Sequence, residues 1–294
     1  MRFKQTASDR VFSLVLGLIS VTIFFLVLYP LFFVIIASFS TPEAVVTGQV
    51  TFWPIGFTLE SYSLVLQERQ IWVGYRNSIF YASVGTLINM TMTTLGAYAL
   101  SREDFPFRTF FTFFVAFTMW FSGGMIPTFL VVRDLGMLDT VWAMLIPGAI
   151  STWNLLIMKN YFQSSIPKEM HEASIIDGAT DFQLLVRVIL PLSKPIIAVL
   201  SLFYIVGHWN AFFGALIYLR SPELQPLQIV LRGILLQNNL EILQGEAMGM
   251  LERIMRGETM KYAVIVVSSL PMIIIYPFAQ KFFIRGVMVG AIKG

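Results

Sequence analysis

The sequence has no cysteine and few charged residues. Of its 294 residues only 13% are Asp, Glu, Lys or Arg, whereas a soluble domain carries about a quarter. The lack of Cys excludes disulfides, thiolate metal sites and cysteine nucleophiles. With 56% hydrophobic residues and a mean hydropathy of +0.74, the composition predicts a membrane protein. The net charge of +3 agrees with basic cytoplasmic loops and does not require a nucleic-acid partner.

Sequence motifs for nucleotide and metal chemistry are also missing. There is no Gly-x-x-x-x-Gly-Lys-Ser/Thr loop, no His-Glu-x-x-His pair and no Asp-rich metal loop. The two histidines, His171 and His208, lie in different predicted elements and do not form a metal site by themselves. We therefore predict that the chain is not an enzyme and holds no catalytic residue, metal or cofactor of its own.

Long apolar runs are what the sequence has in abundance. A run of roughly 20 apolar residues crosses a bilayer as a helix, because only a helix satisfies its own backbone there. The first run is far longer than a signal-peptide core, so it is predicted to be an uncleaved span. We predict an all-α integral membrane protein with one domain, residues 1–294, and six transmembrane helices: Val11–Ser38, Asn77–Leu100, Thr109–Val132, Thr140–Met158, Ile196–Leu219 and Tyr262–Gln280.

The distribution of Lys and Arg predicts the orientation. With six spans both termini lie on one side, and that side collects twelve of the 20 basic residues, among them Arg2, Lys4 and Arg10 of the short N-terminal tail. Cytoplasmic segments are enriched in Lys and Arg. Both termini and the loop at 164–195 are therefore expected on the cytoplasmic side of a multi-pass plasma-membrane protein.

The loop at about 164–195 is polar although it lies between two apolar runs. We predict a helix that starts with Ser165 as N-cap and Pro167 in the first turn and ends at Ile176. Gly178 then permits a turn, and Asp181 caps a second helix from Phe182 to Ile189, which Pro191 ends. The loop is either a compact knob for a partner or a solvated connection, and local signals leave both open.

The motif in this loop resembles the EAA loop of ATP-binding-cassette importer permeases, Glu-Ala-Ala-x-x-x-Gly, nine residues, then Ile-x-Leu-Pro. Ser174 replaces the second Ala and Val188 replaces Ile, while Asp177 and Ala179 agree with the common Asp-Gly-Ala form. Residues 97–102, 125–127, 207–210 and 285–294 are also similar to the carbohydrate branch, and most of all to its complex-oligosaccharide subgroup, which includes aldouronate and alginate importers. The positions that match the motif, with its Asp-Gly-Ala form, are Glu172, Ala173, Asp177, Gly178, Ala179, Leu190 and Pro191.

The resemblance implies a fold and partners. The fold is that of a type I importer permease. The partners are a second homologous permease, two ATPase subunits that bind ATP and Mg²⁺, and an extracytoplasmic solute-binding protein that delivers an oligosaccharide. The matching loop residues would seat on an ATPase, with Glu172 paired to a cation. Residues 237–258 would contact the binding protein, and residues 285–294 the ATPase.

A candidate substrate path is the polar sequence His208-Trp209-Asn210 in the fifth span. Polar groups inside a span face a cavity or a partner helix, and sugars are bound by aromatic faces and amides. Pore lining and helix packing both remain open for these residues. Arg220 and Arg232 near the outer mouth suggest an acidic sugar, although solvation explains them as well. Two other functions remain: a stand-alone secondary carrier, which normally needs more intramembrane ionisable residues than His208 alone, and a structural scaffold.

Overall fold

The computed structural model describes residues 6–234, 257, 259–277 and 280, and in that part of the chain the regular structure is entirely helical. Two compact units are distinguished, residues 1–68 with 233–270 and residues 69–232 with 271–294. The prediction of a single domain stays a prediction. The predicted binding-protein contact at 237–258 and the tail at 285–294 lie almost wholly outside the described residues.

The first unit is built on one long helix. Helix α1, Ala7–Ser38, begins at a capping box in which Thr6 and Asp9 satisfy each other's backbone N–H groups. Its 32 residues span about 48 Å, more than a bilayer core requires. Its central apolar side chains are not buried by other parts of this chain, as expected for a surface that contacts lipid or a partner protein. After it come α2, Pro42–Val46, and α3, Glu60–Gln67.

The second unit packs around α4, Arg69–Ser101, a 33-residue helix with a buried polar face. Its first half holds the segment after residue 221: the Asn77 amide donates to the carbonyls of Glu223 and Gln225, and Ser78 Oγ accepts the Leu227 N–H at 2.9 Å. The remaining α-helices of this unit are α5 Arg108–Phe117, α6 Met125–Asp134, α7 Trp142–Leu145, α8 Thr152–Ser165, α9 Lys168–Ile176, α10 Asp181–Leu184, α11 Leu190–Leu192, α12 Lys194–Trp209 and α13 Phe213–Tyr218, and α14 at 227–234 begins in it.

Three of the six predicted spans are not single helices, which corrects their prediction as continuous segments. Residues 118–124 separate α5 from α6 at a Gly123-Gly124 pair, and glycine is a poor helix former. Pro147 falls between α7 and α8, where its missing N–H interrupts the ladder. In the fifth span the Asn210 side chain donates to the Val206 carbonyl and competes with the backbone where α12 ends.

Two described helices are long and apolar enough to cross a bilayer: α1, and α15 at Thr259–Pro277. A third is added if the bent pair Asp181–Leu192 and Lys194–Trp209, which meet at 84°, counts as one span. Helix α4 has the length but not the composition, because its buried Asn, Ser and Thr side chains lower its hydropathy. Those side chains form hydrogen bonds to neighbouring segments, so hydropathy alone underestimates the ability of this helix to cross a bilayer.

A carboxylate clamp joins the loop before α7 to the end of α13. Asp139 Oδ1 accepts the backbone N–H groups of Arg220 and Ser221, both at 2.9 Å, and Oδ2 accepts the Ser221 hydroxyl at 2.6 Å. These donors stabilise the ionised form and lower the pKa of Asp139 below 3.8. Asp139 has a φ of +55°, a conformation that Asp and Asn tolerate better than most residues.

Asp139→Ala is expected to lower the melting temperature of the purified protein by a few degrees at neutral pH. A depressed folded-state pKa stabilises the fold above pH 3.8, and this contribution is lost as the pH falls through the folded pKa. The difference between the two proteins should therefore shrink below pH 3.8. Asp139→Asn keeps one acceptor oxygen and the tolerance for a positive φ, so its melting temperature should fall less. Equal melting of Asp139→Ala and the parent at pH 7 would contradict the clamp.

Candidate functional site: the loop between α8 and α12

The loop predicted to contact a partner consists of two short helical arms around a glycine. Helix α8 continues through Ser165, so this residue does not cap the next helix as predicted; Pro167 directly precedes α9. The first arm, α9, ends at Ile176, in agreement with the prediction. The mismatch at Ser165 arises because the α8 pattern continues without a break into the Ser164-Ser165 pair.

Gly178 makes the turn between the arms. Its φ is +72°, in the left-handed region where only glycine avoids a steric penalty. No other atom lies within 4 Å of the position where a Cβ would stand, so the need for glycine comes from the backbone and not from crowding. The Ala179 N–H donates to the Ser174 carbonyl at 3.0 Å and closes the end of α9.

The second arm starts one residue earlier than predicted. Thr180, and not Asp181, is the N-cap: its hydroxyl accepts the Gln183 N–H, and the Gln183 side chain accepts the Thr180 N–H. Thr180 has the extended backbone that a cap requires, whereas Asp181 already lies in the first turn. After α10 the chain forms a π-helical turn, Leu185–Ile189, then α11, which contains Pro191, and then the 84° bend into α12.

The two arms differ in what they bury. In the second arm Leu184, Leu185 and Ile189 are buried in an apolar cluster with Met158 and Leu200 of the bundle. At the tip of the loop Ile176 is 84% exposed and Phe182 is 69% exposed. Among the other apolar side chains of the two arms, Val188 is half-buried, whereas Met170 and Ala173 are exposed like the tip.

A cleft of about 440 Å³ lies between the first arm and the C-terminal end of α4. Glu172 and His171 line it from the loop, and Arg102 and Arg108 line it from the α4–α5 side. Arg102 forms a bidentate ion pair with Asp104 and a second ion pair with Asp181 at 3.0 Å. The Arg102 hydrogen bond lowers the pKa of Asp104 to about 2.

The exposed loop residues that match the permease motif remain without an ion pair in the described part of the chain. Glu172, which also lines the cleft, and Asp177 are exposed, as are Ala173 and Gly178. Leu190 and Pro191 lie in α11, at the junction between the loop and α12. The structure therefore places the two ends of the motif differently, one at an open tip and the other against the bundle.

The second candidate site, His208-Trp209-Asn210, does not form one surface. His208 Nε2 is 2.6 Å from Asn89 Oδ1, and the Asn89 amide nitrogen donates to the Gly148 carbonyl. That amide orientation makes Asn89 Oδ1 the acceptor, so His208 Nε2 carries the proton. Trp209 is buried, with its ring 6.0 Å from the ring of Tyr75. Only Asn210 is exposed.

The pairing of His208 with residues of α4 was not predicted from the sequence, although small and polar residues there favour close helix packing. Gly85 lies beneath the imidazole, and a Cβ at this position would overlap the ring. One turn away from the His208 contact, Tyr204 OH bonds to Thr93 Oγ1 at 2.7 Å and accepts the Ser151 N–H. The small and polar residues of the second predicted span, Gly85, Asn89 and Thr93, are the signal that indicates this close packing. Among the described residues no group of His, Cys, Asp and Glu is arranged to hold a metal.

Comparisons with known proteins identify the family of the chain. Residues 2–289 match the model of the binding-protein-dependent transport system inner membrane component. The chain is 42% identical to the polygalacturonan/rhamnogalacturonan transport system permease protein YtcP of Bacillus subtilis strain 168, over 90% of this chain and 92% of that protein. It is 38% identical to Protein LplC of the same organism, over 99% of this chain and 97% of that protein.

A solved structure supports the same assignment. A chain of a bacterial ATP-binding-cassette transporter involved in the import of the acidic polysaccharide alginate has 36% identity and a TM-score of 0.87. The match covers 96% of this chain and the whole of that chain. The protein therefore belongs to the family of inner membrane components of binding-protein-dependent transport systems, and its helical fold is that of the type I permease subunits of ATP-binding-cassette importers.

Proposed function

We propose that the chain is the transmembrane permease subunit of an importer that moves an oligosaccharide delivered by a solute-binding protein. The observation that carries the proposal is the helix–glycine–helix loop, which combines the motif residues with a solvent-exposed apolar tip at Ile176 and Phe182. An exposed apolar tip next to exposed carboxylates is typical of a protein-binding surface. Family membership supports an ATPase subunit as the partner for this tip.

The energy for transport would come from outside this chain. The sequence has no nucleotide-binding loop, and His208 is the only ionisable residue near the middle of a predicted span. The proposed complex contains a second homologous permease, two ATPase subunits that hold ATP and Mg²⁺, and the binding protein. Glu172 would pair with a cation on the ATPase, and Gly178 would maintain the angle between the arms.

We also propose six spans, with both termini on the cytoplasmic side. The spans would be α1, α4, the pair α5 and α6, the pair α7 and α8, the pair α12 and α13, and α15. The basic N-terminal tail and the Lys and Arg residues around 102–108 and 159–194 support this orientation. Broken helices are compatible with a membrane where neighbouring protein satisfies the freed backbone groups.

An acidic oligosaccharide is the proposed cargo. One similar protein is named for polygalacturonan and rhamnogalacturonan, and a similar structure comes from an alginate importer. Polygalacturonan and alginate are polymers of uronic acids and carry a carboxylate on every sugar. Arg220 is exposed at the predicted outer end of the fifth span, where a cation attracts such a ligand by charge.

The decisive experiment purifies the chain with its partners and measures ATP hydrolysis in liposomes with the binding protein inside or outside. We expect loaded binding protein to stimulate hydrolysis and uptake, with uronic-acid oligosaccharides more effective than neutral ones of the same length. Glu172→Ala should reduce the stimulated rate by about tenfold, as expected for a charge-assisted contact. Glu169→Ala, on the same helix and also exposed, is the matched control and should keep the parental rate.

Two outcomes would contradict the proposal. Uptake by this chain alone, driven by a proton or sodium gradient, would make it a secondary carrier. A membrane scaffold would show no co-purifying ATPase and the same behaviour for Glu172→Ala and the parent.

Gly178 provides a test of the angle between the arms. Gly178→Val should lower the substrate-stimulated ATPase rate by about tenfold, because a left-handed conformation costs a side chain with a Cβ roughly 1–2 kcal/mol. Gly178→Asn should keep most of the rate, since Asn tolerates this conformation. Equal rates for Gly178→Val and Gly178→Asn would show that the left-handed turn does not matter for coupling.

Two variants in the fifth predicted span distinguish a role in helix packing from a role in transport. His208→Ala removes an interhelical hydrogen bond and a ring packed on Gly85, so it should lower the melting temperature. Asn210 is exposed, and its amide bonds to its own helix; Asn210→Ala should raise the substrate concentration needed for half-maximal uptake without changing the melting temperature. Normal uptake kinetics in Asn210→Ala would remove this residue from the substrate path.

A further inference from the structure

One arginine connects α4 to both arms of the loop. Arg102 lies immediately after α4, and its side chain is 13% exposed. The guanidinium forms an ion pair with Asp181 Oδ1 of the second arm at 3.0 Å and contacts His171 Nε2 of the first arm. It also donates to Tyr98 OH at 3.2 Å, back on α4. A single planar cation therefore makes polar contacts with three helices.

The chemistry of these contacts fixes the roles of the partners. A guanidinium only donates hydrogen bonds, so Arg102 is the donor in its contact with His171 Nε2. Asp104 accepts from Nε and NH2 at 2.8 and 2.6 Å, a bidentate pair that orients the plane of the guanidinium. This orientation leaves NH1 directed at the loop. Tyr98 OH adds a bond to the Asp181 carbonyl at 3.3 Å.

The two arms depend on this arginine to different degrees. The second arm is anchored by Leu184, Leu185 and Ile189 in the apolar cluster, whether or not Arg102 is present. The first arm has no such anchor among its described side chains: His171 and Ser174 are half-buried, and Glu169, Met170, Glu172, Ala173 and Ile176 are exposed. Among the described side chains of α9, His171 is thus the one bonded to the bundle.

We propose that Arg102 is a positioning residue that holds α9 against the end of α4, so that force applied to the first arm reaches α4 through His171. The second arm continues into α11 and α12 through the chain itself. The loop is then connected to the bundle in two ways, to α12 through the chain itself and to α4 through the polar contacts of Arg102. These two helices meet at the Asn89–His208 pair and the Thr93–Tyr204 pair.

The significance for coupling rests on the proposed function, but the contact itself is tested without transport. Hydrogen exchange is measured on the full chain in nanodiscs, together with its co-purifying partners. In Arg102→Ala, exchange of the amides at 168–176 should rise about tenfold, because a bond to a charged group is lost from a locally opening helix. Exchange at 185–189 and 194–209 should stay within about twofold of the parent, because the apolar cluster is intact.

Three further variants make the test specific. His171→Ala removes the same contact from the loop side and should reproduce the rise at 168–176, which also covers the case in which Arg102→Ala does not fold. Arg102→Lys keeps the charge but not the planar fork, so about a third of the effect is expected. Arg133→Ala removes an exposed arginine paired with Asp134 and should leave exchange at 168–176 unchanged.

A second readout connects the contact to coupling. The ratio of substrate-stimulated to basal ATPase rate should fall by about fivefold or more in Arg102→Ala and His171→Ala, and the double variant should be no worse than either one. Exchange at 168–176 within about twofold of the parent in both single variants would overturn the proposal. An equal rise at 185–189 would also overturn it, because it would show general loss of packing. A parent complex without stimulation would refute the proposed function and leave the exchange result valid.

Discussion

The buried amide of Asn89 is the constraint on which the helix bundle depends. This side chain is fully buried, and its oxygen and nitrogen are both satisfied, by His208 Nε2 of α12 and by the Gly148 carbonyl before α8. A buried amide without partners costs several kcal/mol in a medium without water, roughly 2–7 kcal/mol by transfer estimates. Any rearrangement that separates α4 from α12 must therefore supply new partners for Asn89 or pay this cost in full. The polar pair therefore restricts how the two helices slide past each other.

The loop at 166–193 combines two kinds of attachment that respond differently to their surroundings. Apolar burial of Leu184, Leu185 and Ile189 is non-directional and tolerates small displacements. The Arg102 contacts to His171 and Asp181 are directional, and they weaken quickly when the geometry changes. A partner that binds the exposed tip at Ile176 and Phe182 would therefore meet one arm held by the core and another held by a polar contact.

Local features of the loop could be predicted from the sequence, because they depend on neighbouring residues. The end of α9 at Ile176 and the left-handed turn at Gly178 are of this kind. The cap was assigned to Asp181 and not to Thr180 because two adjacent residues both favour that position, and only the backbone conformation separates them. The hydrogen bond of His208 could not be predicted, since its partner Asn89 is more than a hundred residues away in the sequence. The two residues come together only when α4 packs against α12. Hydropathy likewise gave continuous spans where Pro147 and Asn210 interrupt the helices, because averaging over a window hides single residues that break the backbone ladder.

The π-helical turn at Leu185–Ile189 has a consequence for chain length. An α-helix advances by about 100° per residue, so one extra residue in a turn shifts the phase of everything that follows by about that angle. With this shift Leu184 before the turn, Leu185 at its start and Ile189 at its end all face the same apolar cluster. Removal of a single residue between Gly178 and Pro191 would rotate one of these groups into water, even if every remaining side chain were unchanged. The number of residues between the glycine and the proline is thus as much a part of the packing as their identity.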